Sequence, residues 1–260
     1  MPMSRKRENL RWWLATLAML LGVAVTVAMG LWQLNRAAQK SAWHAAQQAQ
    51  AHAAVLEAPG LRTLLQSTAD PVAALQQRRI RLQGQWLPAH AVYLDNRQMQ
   101  GRPGFYVLMP LQLEQGDAVL VQRGWIARNF QERLALQAIE TPSGLVQIEG
   151  VLTGAPARTY ALTDGDAPDA RQPQIRQNLN LPDFAKATGL ALWPVTVQQT
   201  GAPSEGLQRD WPQPSSGIAT HHGYAFQWFA IAAVLACMLL WFQWLQPARA
   251  RRLHNTASTA

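Results

Sequence analysis

Two uncharged runs bracket this chain. Trp12–Leu34 reads WWLATLAMLLGVAVTVAMGLWQL, and Tyr224–Leu245 is equally free of Asp, Glu, Lys and Arg. At ~1.5 Å per residue the first run is about 33 Å long, enough to cross a hydrocarbon core of roughly 30 Å. Trp228, Trp241 and Trp244 mark the ends of the second run as interface anchors do. A basic start followed by an apolar stretch also describes a signal peptide. This run outlasts an h-region, however, and its nearest small-residue site, Thr26-Val27-Ala28, lies inside it. Retention as an anchor is the expectation.

Between the runs the period changes. Asn35–Glu57 is rich in Ala and Gln and has no Gly or Pro, so it predicts a helical stalk that continues the first span. From Arg79 to Trp86 the apolar residues fall on even numbers, the alternation of a half-buried strand. Further strands are predicted at Val92–Leu94, Gly104–Met109 (stopped by Pro110), Ala118–Ile126, Leu145–Leu152, Gln174–Leu179 and Leu192–Thr200. Pro194 would make the last of these an edge or a broken strand. Asn96–Gly104 reads as a loop, Gln115–Asp117 as a turn, and Asp164–Pro173 as a surface loop. Short helices are predicted at Gln131–Ile139 and Pro182–Gly189. Gly201–Gly217 is rich in Pro, Gly and Ser and reads as a linker.

The fold class that follows is a membrane protein with two transmembrane α-helices flanking a mainly-β (α+β) domain, a small antiparallel barrel or sandwich. The expected division is a tail at 1–11, a span at 12–34, a stalk at 35–58, a β-rich domain at 59–200, a linker at 201–223, a span at 224–245 and a tail at 246–260.

The charge sits where topology signals sit. The net charge is +8, but Arg5, Lys6, Arg7, Arg11, Arg249, Arg251 and Arg252 lie in the tails and leave the middle close to neutral. Such a domain is a poor phosphate binder, so nucleic acid is not an expected partner and anionic lipid is. Only Arg36 and Lys40 closely follow the first span. The positive-inside rule then places both termini in the cytoplasm and the domain outside. No Arg-rich, Ser-rich transit segment precedes the first span, which favours a bacterial inner membrane with a periplasmic domain. Cys237 is the single cysteine, which excludes an internal disulfide and Cys-rich zinc or copper sites.

The candidate chemistry lies at the start of the second run. His221 and His222 sit at a membrane boundary, where ionisable groups are costly and ask for a reason. His44 and His52, eight residues apart in the stalk, read as solvated helix residues. Neither GxSxG nor HExxH nor a Walker loop is present, and Ser215 and Ser216 near His221 lie in a Pro-rich stretch with no oxyanion scaffold. An enzyme is not expected.

Three segments together resemble the Surfeit locus protein 1 family of cytochrome c oxidase assembly factors. Gly30-Leu31-Trp32-Gln33-Leu34-Asn35-Arg36 with Lys40 is similar to its WQ-x-x-R-x-x-x-K signature. Asn96-Arg97 through Gly101 and Gly104 to Leu120-Val121-Gln122-Arg123-Gly124-Trp125-Ile126 is similar to its N-R-x-x-x-G-x-x-G core and LVNRGW strand. His221 with Tyr224-Ala225 and Trp228 matches H-x-x-Y-A-x-x-W. Gln122 stands where Asn is usual, and His222 replaces an apolar residue.

The resemblance implies a helper in respiratory-chain biogenesis that binds haem a and assists its insertion. Its implied partners are the oxidase's catalytic subunit and the haem a synthesis machinery. It carries the haem-iron ligand over to His221, with His222 as the competing ligand. A haem also wants an apolar slot and cations for its propionates. Tyr224, Phe226, Trp228, Phe229, Leu31 and Trp32 are the candidates for the slot, and Arg36 and Lys40 for the cations. The rival is a cofactor-free scaffold that stabilises an assembly intermediate. Arg97, Gly101, Gly104, Arg123, Gly124 and Trp125 read as structural or partner-contact residues. Arg97 is expected to pin the 101–104 loop, and Arg123 to pair with Asp95 or Glu149.

Overall fold

The computed structural model describes residues 3–68, 70–132, 135–159, 174–212 and 217–245. In chain order it has helix α1 (Met3–His52), a two-residue strand β1 (Leu56–Glu57), short helices α2 (Ala58–Ser67) and α3 (Pro71–Leu75), then strands β2 (Arg79–Trp86), β3 (Val92–Met99), β4 (Arg102–Leu113), β5 (Ala118–Ala127) and β6 (Leu145–Thr153). Strand β7 (Ile175–Arg176), helix α4 (Leu181–Thr188), strand β8 (Leu192–Gln199) and helix α5 (Ile218–Leu240) follow, and α5 ends in a π-helical turn at Trp241–Leu245. These elements divide into two compact units, one from the two chain ends (Met1–Ala45 and Ser215–Ala260) and one from Ala46–Pro214.

The helical unit contains two stretches long and apolar enough to cross a membrane, Trp12–His52 and Ile218–Gln243. The chain is therefore a membrane protein, with two such helices flanking a mainly-β domain. Lipid offers no hydrophobic drive for one helix to join another, so close backbone approach at small residues must do it. Gly22 faces Leu235 and Gly30 lies against the ring of Phe229. Thr26, Ala37, Ala225 and Ala232 are buried. The Thr26 hydroxyl donates to the carbonyls of Gly22 and Val23 in its own helix, so it enters the contact already satisfied.

The second unit is a barrel. Strand β2 pairs with β6, β6 with β8, β8 with β5, β5 with β4, and β4 returns to β2. That ring closes five strands and removes the central edges. It is a five-stranded barrel plan that OB-folds also use, and the plan alone carries no function. Strands β3, β7 and β1 extend the sheet beyond the ring. Pairing is antiparallel except for β5–β8, β3–β7 and β1–β2, which are parallel.

The alternation of β2 matches its burial, with Ile80, Leu82 and Trp86 in the barrel interior. Strand β5 is buried along nearly its whole length. Its inner face meets the barrel core, while Leu120 packs with Leu94, Leu108, Leu181 and Phe184 in a second cluster on the other face. A strand covered on both faces reads as a continuous apolar run, and Ala118-Val119-Leu120-Val121 does. Helix α4 has the expected ends, with the Asn180 side chain accepting from the Asp183 amide and Gly189 in the left-handed conformation at its C-terminus.

Several sequence expectations are corrected. Asn96–Gly104 is not a loop. Strand β3 runs on to Met99 and meets β4 through Gln100–Gly101, both at positive φ, the pattern of a type I′ hairpin. Strand β4 is not stopped by Pro110. Its pairing with β3 ends at Leu108 and its pairing with β2 starts at Leu111, so the missing N–H falls where no partner asks for one. Strand β8 is not an edge, since it lies between β5 and β6. Pro194 is tolerated because pairing with β6 covers only Thr196–Gln199 and the β5 register shifts between Leu192 and Thr196.

No helix forms in the described residues of Gln131–Ile139, and Gln174–Leu179 pairs only at Ile175–Arg176. The predicted loop at Asp164–Pro173 lies outside the described residues. Gly201–Trp211 does more than connect. Leu207 is buried in the barrel core, and the Trp211 indole donates to the Gln199 carbonyl at 2.8 Å.

Candidate functional site

The helical unit brings most of the predicted cofactor residues into one neighbourhood. The Nδ1 of His221 on α5 lies 2.7 Å from the Oε1 of Gln33 on α1. An amide oxygen only accepts, so this bond selects the tautomer with the proton on Nδ1, which in a neutral ring leaves Nε2 its lone pair. Lys40, Arg36 and His222 lie near His221. Lys40 projects its Nζ to the start of α5, where a Cβ on Gly217 would stand 3.2 Å from it. The Arg36 guanidinium donates to Gln39 Oε1 at 3.2 Å.

Helical spacing sorts the remaining candidates. Tyr224 and Trp228, three and seven residues after His221, share its side of α5, whereas His222 lies about 100° further round. On α1, Trp32, Arg36 and Lys40 are four apart and form one stripe beside Gln33. Trp32, Arg36, His222 and Tyr224 are exposed, and Trp228 is half-buried. Of the proposed slot residues, Phe229 is taken up by its contact with Gly30, and Phe226, Leu31 and Trp32 face outwards. The helices touch at Gly30, so a macrocycle has no room between them at that level. Tyr224, exposed, and Trp228, half-buried, remain as apolar candidates on the His221 side of α5. At the other end of the pair, Gln243 donates to the Thr16 hydroxyl.

The barrel holds a second polar cluster. Arg123 is 0% exposed. It falls where the β4–β5 register shifts, between Gln122, opposite Leu108, and Gly124, opposite Val107, so it is a bulge residue and its side chain is re-aimed inwards. Its guanidinium meets Glu205 Oε2 at 2.6 Å, Thr141 Oγ1 at 2.9 Å and the Glu140 carbonyl at 3.0 Å, and lies 4.6 Å from the centroid of Trp86. The expected partners are engaged elsewhere, Asp95 with Arg128 and Glu149 with Arg81. The partner Glu205 stands in a tight Ser204–Leu207 turn, with Glu205 and Gly206 both at positive φ. Arg209 in the same segment donates its Nε to the bulged Arg123 carbonyl at 2.8 Å. Burial pulls the Arg209 guanidinium below its ordinary range, opposed by Glu205 and aided by Arg123.

Arg97 is buried but does not pin the hairpin turn. It donates to the Gln177 carbonyl at 3.0 Å and lies over Tyr106. Burial lowers its pKa, opposed by Tyr106 and Asp95, while burial raises that of Tyr106. The Arg97 carbonyl in turn accepts from the buried Trp125 indole at 3.0 Å. Gly101 supplies the second positive φ of the hairpin turn. A Cβ at Gly104 would collide with the Ile126 carbonyl, and one at Gly124 would lie 2.7 Å from the Leu207 Cβ. These six residues therefore build and brace the barrel.

Sequence reasoning singled out the helix-pair residues but not their link. Gln33 stood inside the WQ motif, yet nothing in its periodicity points to a residue 188 positions away. Glu205 and Arg209 were hidden in a stretch that reads as linker.

Comparison with known proteins covers both units. The profile of the SURF1 family matches residues 20–233. A SURF1-like protein of Rickettsia bellii is 24% identical over 229 residues, 84% of this chain and 86% of its own length. One of Rickettsia conorii is 25% identical over 217 residues, 81% of this chain and 83% of its own. A SURF1-like protein of Dictyostelium discoideum is 42% identical over a shorter stretch of 50 residues, 19% of this chain and 18% of its own.

Proposed function

This chain belongs to the SURF1 family, and on that premise we propose that it is an assembly factor for haem-copper cytochrome c oxidase that binds haem a and hands it to the catalytic subunit. The carrying observation is the His221–Gln33 bond, which leaves Nε2 as a lone-pair nitrogen at the end of the helix pair where Arg36 and Lys40 lie.

A haem brings four of its own iron ligands, so one imidazole is what it asks of the protein. The donor set fits that need. His221 would hold the iron, Lys40 and Arg36 the propionates, and Tyr224, Trp228 and Trp32 the apolar edge. The bound group would supply only its own affinity for an imidazole nitrogen. The protein's part is to orient His221 and keep the macrocycle against these apolar side chains. This reading makes the chain a chaperone and not a catalyst. It acts in a bacterial inner membrane, with both termini cytoplasmic and the barrel periplasmic, and with the haem a synthesis machinery upstream.

The test is the visible spectrum of the full-length protein, co-expressed with a haem a synthesis pathway. The wild type is expected to carry haem a, His221→Ala to lose it, and His222→Ala to retain it. Haem retained in both variants would remove the site. No haem in any of them, with oxidase assembly still dependent on the chain, would favour the cofactor-free scaffold.

A further inference from the structure

We infer that Gln33 is the positioning residue of this site: its side-chain carbonyl keeps the His221 proton on Nδ1, presents Nε2 as the ligand, and by being neutral keeps that ligand releasable. The inference rests on the haem reading above.

A free imidazole exchanges its proton between two nitrogens and cannot ligate through the one that holds it. Gln33 Oε1, at 2.7 Å from Nδ1, offers an acceptor and no donor, so it stabilises one tautomer only. Ligating histidines ordinarily donate their other N–H to such an outer acceptor, which fixes the ring's plane as well as its proton. The partner here sits on a different helix, so the bond exists only when α1 and α5 are rolled correctly against each other. The Gly30–Phe229 contact, one turn before Gln33 along α1, limits that roll. His222, about 100° round α5, has no access to the same acceptor.

The chemistry of the acceptor matters too. A carboxylate would draw the Nδ1 proton harder, make the ring more imidazolate-like and strengthen its bond to ferric iron. An amide carbonyl polarises the ring less. A handler that must give its haem away is served by the weaker acceptor.

The experiment uses the full-length protein in lipid nanodiscs, labelled with ¹⁵N-histidine. Long-range ¹H–¹⁵N spectra without haem report the His221 tautomer, and hemin titration with a redox midpoint reports the ligand. In the wild type the proton is expected on Nδ1. In Gln33→Leu both tautomers appear and hemin affinity falls ~10–100-fold. Gln33→Glu, which keeps an acceptor in place, restores the Nδ1 proton, binds hemin at least as tightly as the wild type and lowers the midpoint potential. Circular dichroism of both variants confirms that the helices form. A wild-type proton on Nε2, or a ring spectrum unchanged in Gln33→Leu, would overturn the inference. A tautomer that responds as expected in a protein that binds no hemin would leave the Gln33 bond standing and remove the haem reading, so the two failures are distinguishable.

Discussion

A single hydrogen atom at Gly30 sets how closely α1 and α5 approach. A methyl group there would stand 2.8 Å from two carbons of the Phe229 ring. Gly30→Ala is expected to cost about 1–3 kcal/mol of helix-pair stability by overpacking and to weaken hemin binding with it. Phe229→Ala in the same chain should restore part of both. Thermal melts of the two single variants and the double variant in nanodiscs measure the coupling, and strict additivity would mean the contact does not set the approach. Arg123 is the corresponding residue in the barrel. Its charge is buried on a bulge and balanced by Glu205 at 2.6 Å. Arg123→Met removes one of the two guanidinium groups beside Glu205, which keeps Arg209 at 3.6 Å, and strips the donors to Thr141 and Glu140, so it should cost about 1–3 kcal/mol in a denaturant titration. Adding Glu205→Gln should recover little, because the buried Arg209 then loses its carboxylate partner. Arg123→Lys is a poor substitute, because it loses both the forked donors to Thr141 and Glu140 and the plane over Trp86.

At the scale of elements, legibility followed how local the cause was. Strand β2 was legible in full, because one face is buried and the other is not, and alternation records that directly. Helix α4 was legible from Pro182 and Gly189, whose backbone preferences act within a turn. Strand β4 was misread at Pro110, since tolerance of a proline depends on what the neighbouring strand asks for at that position, while Pro194 interrupts the pairing of β8 as a broken strand would without making it an edge. The segment from Gly201 to Trp211 was misread for the same reason. Its Pro, Gly and Ser content describes an irregular path and says nothing of what lies beneath it. Gly124 ties that path to β5, with Trp125 and Gln208 exchanging backbone hydrogen bonds beside it at 2.8 and 2.9 Å. A Cβ at Gly124 would come within 2.7 Å of the Leu207 Cβ and 2.8 Å of the Gln208 carbonyl. Both obstacles lie at or next to the backbone and cannot swing aside. Gly124→Ala is therefore expected to lift residues 201–212 off the barrel, with new proteolytic cuts there and little loss of strand signal in the far-UV. Loss of all strand signal would mean the segment and the ring fold as one piece.

Across the whole molecule, the candidate site is assembled from residues that flank the two apolar stretches on their inner sides in sequence. Gln33 lies in the last turn of the first stretch, Arg36 and Lys40 follow it, and Gly217 and His221 precede the second. Antiparallel packing of α1 and α5 places them together at one end of the pair, while Thr16 and Gln243 meet at the other. The sequence made the two spans and the list of polar residues legible, because length, absence of charge and motif spacing are local properties. The pairing across the spans was not legible, since it depends on the roll and depth at which two helices meet. Orientation then decides what the site can meet. In sequence the clusters at Arg5–Arg7 with Arg11 and at Arg249–Arg252 lie beyond the outer ends of the two apolar stretches, and the positive-inside rule would then turn His221 outwards. Alkaline phosphatase fused after Gln50 should be active, and the same enzyme fused after Ala260 inactive, with green fluorescent protein after Ala260 fluorescent. The reverse pattern would put His221 and the barrel in the cytoplasm, and a periplasmic route for haem through this site would have to be abandoned.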